Sequence, residues 1–252
     1  MQIKMTREDA QFMLKHFASP HFTNTRNFIT VLEVDPKWVA EILPPPLEPA
    51  APIVSISMSK GDQFSGLVLG VQAKFGDIVG DWGLAYVMDT DLAVIFGREG
   101  LAEPKKLGVT TTELKDGKFV GTVSRFGQEL LRVEANVVGP ATEPIVGDTL
   151  DNFHFKYTIN ADGSGISDAD LILSHFDCTT ENTTIMQPTK VELNDSPFDI
   201  YGQIPMVKPV AAFYADFDMR GSAKYLAKVP GDDFLPWAFF KHDDYRLTMS
   251  ID

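Results

Sequence analysis

The sequence predicts a mainly β, α+β fold: an antiparallel barrel or sandwich carrying a few flanking helices. Three observations predict it. Between Pro52 and about Lys190 the apolar runs are of strand length and are separated by turn residues. Helical periodicity is confined to short segments near the two ends of the chain. The 252 residues suffice for one large β domain or two small ones, either able to bury a core, and with no linker to divide them a single domain over 1–252 is the expectation.

Taken in order, Thr6 caps a first helix whose Ala10, Met13, Leu14 and Phe17 share a face, and Ser19-Pro20 ends it. A strand from Arg26 to Val34 follows. Asp35-Pro36 is a cap and first-turn proline for a helix bearing Trp38, Val39, Ile42 and Leu43, which Pro44-Pro45-Pro46 stops. The expected strands are then 52–58, 64–75, 82–88, 91–96, 109–115, 118–126, 129–138, 152–159, 170–178 and 183–193. Lys115-Asp116-Gly117-Lys118 is the clearest hairpin turn, and the acidic, glycine-bearing run Asn160 to Asp168 reads as a solvated one. A further strand near Ile204 leads to a short helix around Ala223, Tyr225 and Leu226.

Charge and motif content exclude several functions. A formal net charge of −13 argues against nucleic acid or an anionic membrane surface as partner, since both need clustered Lys and Arg. A small anionic substrate needs only one local cation and remains open. Cys178 is the sole cysteine, so an internal disulfide and a cysteine metal cluster are ruled out. His16, His21, His154, His175 and His242 show no metal-ligand spacing, and no metal or cofactor is expected. There is no Walker loop, no Gly-x-Gly-x-x-Gly and no Gly-x-Ser-x-Gly elbow. The first residues lack the apolar core of a signal peptide and no run is long enough to span a membrane, so the expectation is a cytoplasmic protein.

The chemistry-bearing stretch is Gly97-Arg98-Glu99-Gly100-Leu101-Ala102-Glu103-Pro104-Lys105-Lys106-Leu107-Gly108. Read after the expected strand 91–96, it is a turn up to Pro104, with two lysines where the chain re-enters structure. A lysine is a nucleophile only when neutral, and at the reference pKa of about 10.4 roughly one in 2,500 is neutral at pH 7. Burial or a second cation depresses that value, and the pair Lys105-Lys106 offers both, although adjacent side chains diverge in extended backbone.

This segment closely resembles the Schiff-base segment of the acetoacetate decarboxylase family, in which the first lysine of the pair forms the imine, here Lys105. The resemblance runs from Arg26 to about Val229. It includes Asn24-Thr-Arg26, where the family's arginine faces the substrate carboxylate, then Leu43-Pro-x-Pro46-Leu47, and Gly80-Asp81-Trp82 through Gly97-Arg98-Glu99. It implies a barrel-like antiparallel sheet, a homo-oligomer, and a substrate site lined by Arg26, Phe64, Gly66 and Tyr86. One departure stands out. Decarboxylating members carry two glutamates between the Pro-Leu and Gly-Asp-aromatic segments, whereas this chain has no Glu between Glu48 and Glu99. Gly66 falls where one should lie, and the other falls among Ser55, Ile56 and Ser57.

The resemblance implies a lyase that decarboxylates a small 3-oxo acid through an imine on Lys105, with Lys106 beside it. The alternatives are a pyruvate aldolase-dehydratase using the same lysine, and a non-catalytic binding or structural oligomer on the same scaffold. Residues 230–252 form an extension rich in aromatic residues, expected to be an edge strand or subunit contact. Its other reading is a lid over the lysine that brings Tyr245 in as the proton donor or acceptor the glutamates no longer supply.

Overall fold

The computed structural model describes residues 4–62, 64–143, 145 and 147–241, the side chain of residue 16 excepted. The elements are α1 (Arg7–Phe17), β1 (His21–Val34), α2 (Pro36–Ile42), β2 (Glu48–Lys60), β3 (Ser65–Phe75), β4 (Ile78–Met88), α3 (Asp91–Phe96), β5 (Lys105–Leu107), β6 (Val109–Lys115), β7 (Lys118–Arg125), β8 (Gln128–Pro140), β9 (Thr149–Lys156), β10 (Ala169–Leu193), β11 (Met206–Val229) and α4 (Gly231–Phe234). A π-helical turn, Gly97–Leu101, joins α3 to the segment before β5. No described helix is long and apolar enough to cross a membrane.

The expected caps form. Thr6 Oγ1 accepts from Asp9 N at 3.1 Å, and Asp35 Oδ1 accepts from Lys37 N at 2.8 Å at the start of α2. The Lys115–Lys118 turn closes the β6–β7 hairpin with Asp116 at φ 50 and Gly117 at φ 75, the two left-handed positions that a two-residue hairpin loop requires.

Three elements differ from the expectation. Residues 91–96 form a helix, because Thr90 Oγ1 accepts from Ala93 N at 3.3 Å and Asp91 stands in the first turn; an apolar run alone does not separate a short buried strand from a short helix. Strands 170–178 and 183–193 are one 25-residue strand, β10, with a register shift between Glu181 and Thr184. The expected helix around Ala223 to Leu226 is the end of the 24-residue β11.

The strands form one sheet in the order β11-β1-β2-β3-β4-β9-β10-β8-β7-β6, with β5 on β4, and β10 also pairs β11. The path from β11 to β10 therefore returns on itself and is barrel-like. Most pairs are antiparallel, but β5 and β9 run parallel to β4.

Strands β1 to β4 are covered on both faces. Phe28, Leu32, Val54, Ile56, Met58, Leu67 and Leu69 alternate onto one face and pack against Phe119, Val123, Leu131 and Val133 of β7 and β8. Phe28 and Phe119 stack with centroids 4.0 Å apart, and both are fully buried. The alternate positions, Asn27, Ile29, Ser55, Ser57, Ser59, Val68 and Gly70, face the inside of the barrel-like ring, toward Phe213, Ala215 and Phe217 of β11.

The Phe28–Phe119 stack should carry much of the core's stability. Phe119→Ala is expected to lower unfolding free energy by about 3–5 kcal/mol, the range for truncating a buried phenylalanine. Urea unfolding measures it, and a loss under about 1 kcal/mol would place the core elsewhere.

Candidate active site

Lys105 is positioned by β4. β5 runs parallel to it with Lys105 paired to Tyr86 and Lys106 to Val87, so Lys105 takes the face of Tyr86, inside the ring. A bulge at Leu84, between the pairs Leu69–Ala85 and Gly70–Gly83, brings Asp81 and Gly83 onto the same face as Tyr86. Gly83 is small of necessity, since a Cβ there would lie 2.7 Å from Tyr86 Cε2 and 2.8 Å from His154 Nε2.

Around Lys105 the described residues gather a buried polar cluster. Lys105 Nζ lies 2.7 Å from Glu103 Oε2, with the two side chains 10% and 7% exposed. Tyr86 Oη and His154 Nε2 are 3.0 Å apart, and His154 Nδ1 is 3.2 Å from Ser174 Oγ. Burial pushes His154 down to about 4, against the pull of Glu103, so the ring is neutral at pH 7. A neutral imidazole has one donor and one acceptor, and Tyr86 and Ser174 take one each. Burial, reinforced by Glu103 and Asp81, holds the Tyr86 phenol well above its ordinary value, so it stays protonated. Asp81 is raised by burial, and Ser55 Oγ donates a short hydrogen bond to its Oδ2.

The chain before β5 is built to hold this arrangement. Ala102 at φ 59 ends the π-helical turn, Glu103 N donates to Gly97 O at 3.1 Å, and Lys105 N donates to Glu103 O at 2.8 Å. Gly97 leaves the space that the Glu103 carboxylate and the Lys105 stem occupy, because any Cβ there would overlap both. The expected turn up to Pro104 is thus mostly helical.

Lys106 turns to the other side. Its Nζ is 3.2 Å from Asp199 Oδ1, and Arg125 Nη1 donates to both Asp199 oxygens at 2.8 and 2.7 Å. Arg125 Nε also donates to Leu107 O at 2.9 Å, tying this group to β5. The second cation expected to act on Lys105 is therefore engaged by a buried carboxylate of its own.

The other expected site residues are dispersed. Arg26 is not gathered with Lys105: it shares the face of Phe28 rather than of Asn27, its side chain is 66% exposed, and its Nε lies 3.3 Å from Asp216 Oδ1. Gly66 faces the interior but contributes no acid, and Met88 Sδ fills the space a side chain would take, 2.6 Å from where a Cβ would lie. Phe64 packs edge-on against Phe22, centroids 5.8 Å apart, beside the apolar group of Leu101, Phe176 and Cys178. Tyr86 is at the site. Tyr245 lies outside the described residues. Up to Lys241 the C-terminal extension is helical over 231–237 rather than an edge strand: Phe234 is fully buried against Phe155 and Tyr157, Trp237 Nε1 donates to Ile42 O at 2.8 Å, and Leu235 and Phe239 stay exposed.

Sequence reasoning missed Glu103, Asp81, His154 and Lys241. Lys241 is buried over the Tyr157 ring, 4.0 Å from its centroid, and burial with Arg98 nearby pushes its amine down to about 8. Glu103 had a legible signal: an acid two positions before a strand lysine falls on the same side of the chain. His154 had none, because its partners come from β4 and β10. No described group of three or more His, Cys, Asp or Glu is gathered to hold a metal.

Comparison with known proteins places the chain in a family. The family profile for acetoacetate decarboxylase matches residues 4–229, nearly the whole described chain. The chain belongs to the acetoacetate decarboxylase family. It is similar to the acetoacetate decarboxylase of Clostridium acetobutylicum, at 26% identity over 203 residues that span 76% of this chain and 82% of that one. Its fold is similar to that of acetoacetate decarboxylase from Legionella pneumophila, with a TM-score of 0.77, 18% identity, and coverage of 84% of this chain and 90% of that one. It also resembles the enduracididine biosynthesis enzyme MppR complexed with the condensation product of pyruvate and imidazole 4-carboxaldehyde, with a TM-score of 0.68, 16% identity, and coverage of 82% and 88%.

The close fit at Gly97 yields a direct expectation for this family member. Gly97→Ala should fold, since the displaced atoms belong to side chains and the backbone of Gly97 is ordinary right-handed helix at φ −68. Under the Schiff-base reading proposed below, displacing Lys105 and Glu103 should lower borohydride-trapped adduct with pyruvate at least tenfold at matched protein and time. Undiminished trapping would show that the pair's placement over Gly97 is irrelevant.

Proposed function

We propose that this protein is a carbon–carbon lyase whose Lys105 forms a Schiff base with the ketone of a small oxo acid, and that it decarboxylates a 3-oxo acid. The observation that carries the reading is the burial of Lys105 inside a polar interior, beside Tyr86 and within 2.7 Å of a carboxylate. Membership of the family supports it.

In this reading the neutral Lys105 amine adds to the ketone carbon, and the carbonyl oxygen departs as water to leave a protonated imine. The bond to the carboxylate carbon breaks, carbon dioxide leaves, and the electron pair moves through the new double bond to nitrogen as an enamine. A proton returned to carbon and hydrolysis of the imine release the ketone and the lysine. Tyr86, protonated and fixed by His154, is the interior hydroxyl closest in register to Lys105 and is suited to orient the substrate's oxygen.

A second reading is pyruvate aldolase-dehydratase chemistry on the same lysine. Glu103 beside Nζ favours it, because enamine formation from pyruvate requires a base that decarboxylation does not. The likeness to a structure that holds a pyruvate condensation product agrees with it. A cytoplasmic homo-oligomer without nucleic-acid or membrane partners completes the proposal, while nothing in the described chain turns Arg26 toward Lys105.

The test is reductive trapping. Borohydride with acetoacetate or pyruvate should give a covalent adduct that peptide mass analysis maps to Lys105. Lys105→Ala should abolish it. Lys106→Ala should retain it, because Arg125 remains to neutralise Asp199. An adduct on Lys106, or none at all, would overturn the assignment.

A further inference from the structure

Glu103 lies in the part of the chain that belongs to the lysine segment, outside the strands where the missing glutamates were expected. Its Oε2 is buried and no aligned hydrogen-bond donor points at it; the polar atom against it is Lys105 Nζ, at 2.7 Å in an ion pair. A buried carboxylate oxygen left with unused acceptor capacity is costly unless something at the site uses it. Asp81, a second acid among the described residues on this face, already accepts from Ser55 and sits over Gly70. Glu103 is the one that faces the reacting nitrogen.

We propose that Glu103 is the catalytic proton-transfer group of this site, exchanging a proton with the substrate carbon adjacent to the imine. The proposal rests on Lys105 forming that imine. The ammonium proton of Lys105 passes to Oε2 and leaves with the carbonyl oxygen as water, so Glu103 is again a carboxylate once the protonated imine exists. The carbon next to the imine carbon is two bonds from Nζ, within reach of a carboxylate that lay 2.7 Å from that nitrogen. Oε2 takes a proton from this carbon, the C–H pair becomes the carbon–carbon double bond, and the imine pair moves to nitrogen as the neutral enamine. The reverse step returns the proton. After a decarboxylation the same group, protonated from water, supplies the enamine carbon. The substrate class is therefore a small ketone with a hydrogen or a carboxylate on the carbon beside its carbonyl.

Proton exchange at carbon reads this role separately from imine formation. Pyruvate in deuterium oxide is followed by loss of its methyl proton signal, and the adduct fraction is measured in parallel by borohydride trapping and intact mass. The quantity compared is exchange rate divided by trapped fraction. Wild type should exchange. Glu103→Gln should keep the Lys105 adduct while the ratio falls at least tenfold, within the range of about 10²–10⁴ for a positioned acid or base. Glu103→Asp keeps the charge but draws it back by one methylene, and it should give an intermediate ratio. A ratio within twofold of wild type in Glu103→Gln overturns the role of Glu103, as does an Asp variant no better than Gln, since a merely structural residue would change trapping and exchange together. Absence of any adduct in wild type removes the imine itself, and this role with it.

Discussion

Two adjacent lysines in an extended strand must point to opposite sides, and here both sides are buried. That constraint organises the site. A buried ammonium without a counter-charge is costly, so each lysine requires its own carboxylate. Lys106 receives Asp199, which Arg125 holds in two-pronged contact while also gripping Leu107 O, and β5 is thereby pinned from outside the ring. Lys105 receives Glu103, delivered by the π-helical turn and the left-handed Ala102. The Asp199 carboxylate is shared between Lys106 and Arg125, whereas the Glu103 carboxylate faces Lys105 in an ion pair on the side of the strand that carries Tyr86.

The chemistry of the interior follows from the alternation of β1 to β4. Their outward positions are apolar and build the main core, while their inward positions are small or polar, leaving room for side chains from β4, β5 and β9. Gly70 and Gly83 lack side chains where Asp81, Tyr86 and His154 need space. After Glu48, β2 and β3 carry no glutamate, and the described acids Asp81 and Glu103 reach this interior from other elements. Asp81 enters beside Ser55, and Glu103 enters beside the lysine. Neutral His154 fixes the Tyr86 phenol without adding charge to a region where Lys105 and Glu103 already face each other.

Much of the fold was legible in the sequence, because caps and turns are local. Thr6, Asp35-Pro36 and Asp116-Gly117 each encode their structure within four residues. The errors arose where a pattern admits two structures, or where distant partners decide. Leu92 to Phe96 is apolar in either conformation, and the Thr90-Asp91 cap makes it helix. The ends of β10 and β11 are strand because they pair with each other over most of their length. The structure brings together Lys105 and Tyr86, both named from the segment and its resemblance. It does not bring Arg26 to them, since one residue of register decides which face of β1 Arg26 takes, and that face is the one shared with Phe28. The Tyr86–His154–Ser174 chain joins three strands and has no signature in any of them.

The most direct test of the account is a crystal structure of the borohydride-reduced pyruvate adduct. The account predicts a new carbon bonded to Lys105 Nζ, its carboxylate-bearing fragment inside the ring between Tyr86 and Glu103, and Lys106 still against Asp199. A fragment bonded to Lys106 or Lys241, or one lying on the face of Phe28 and Arg26, would contradict it.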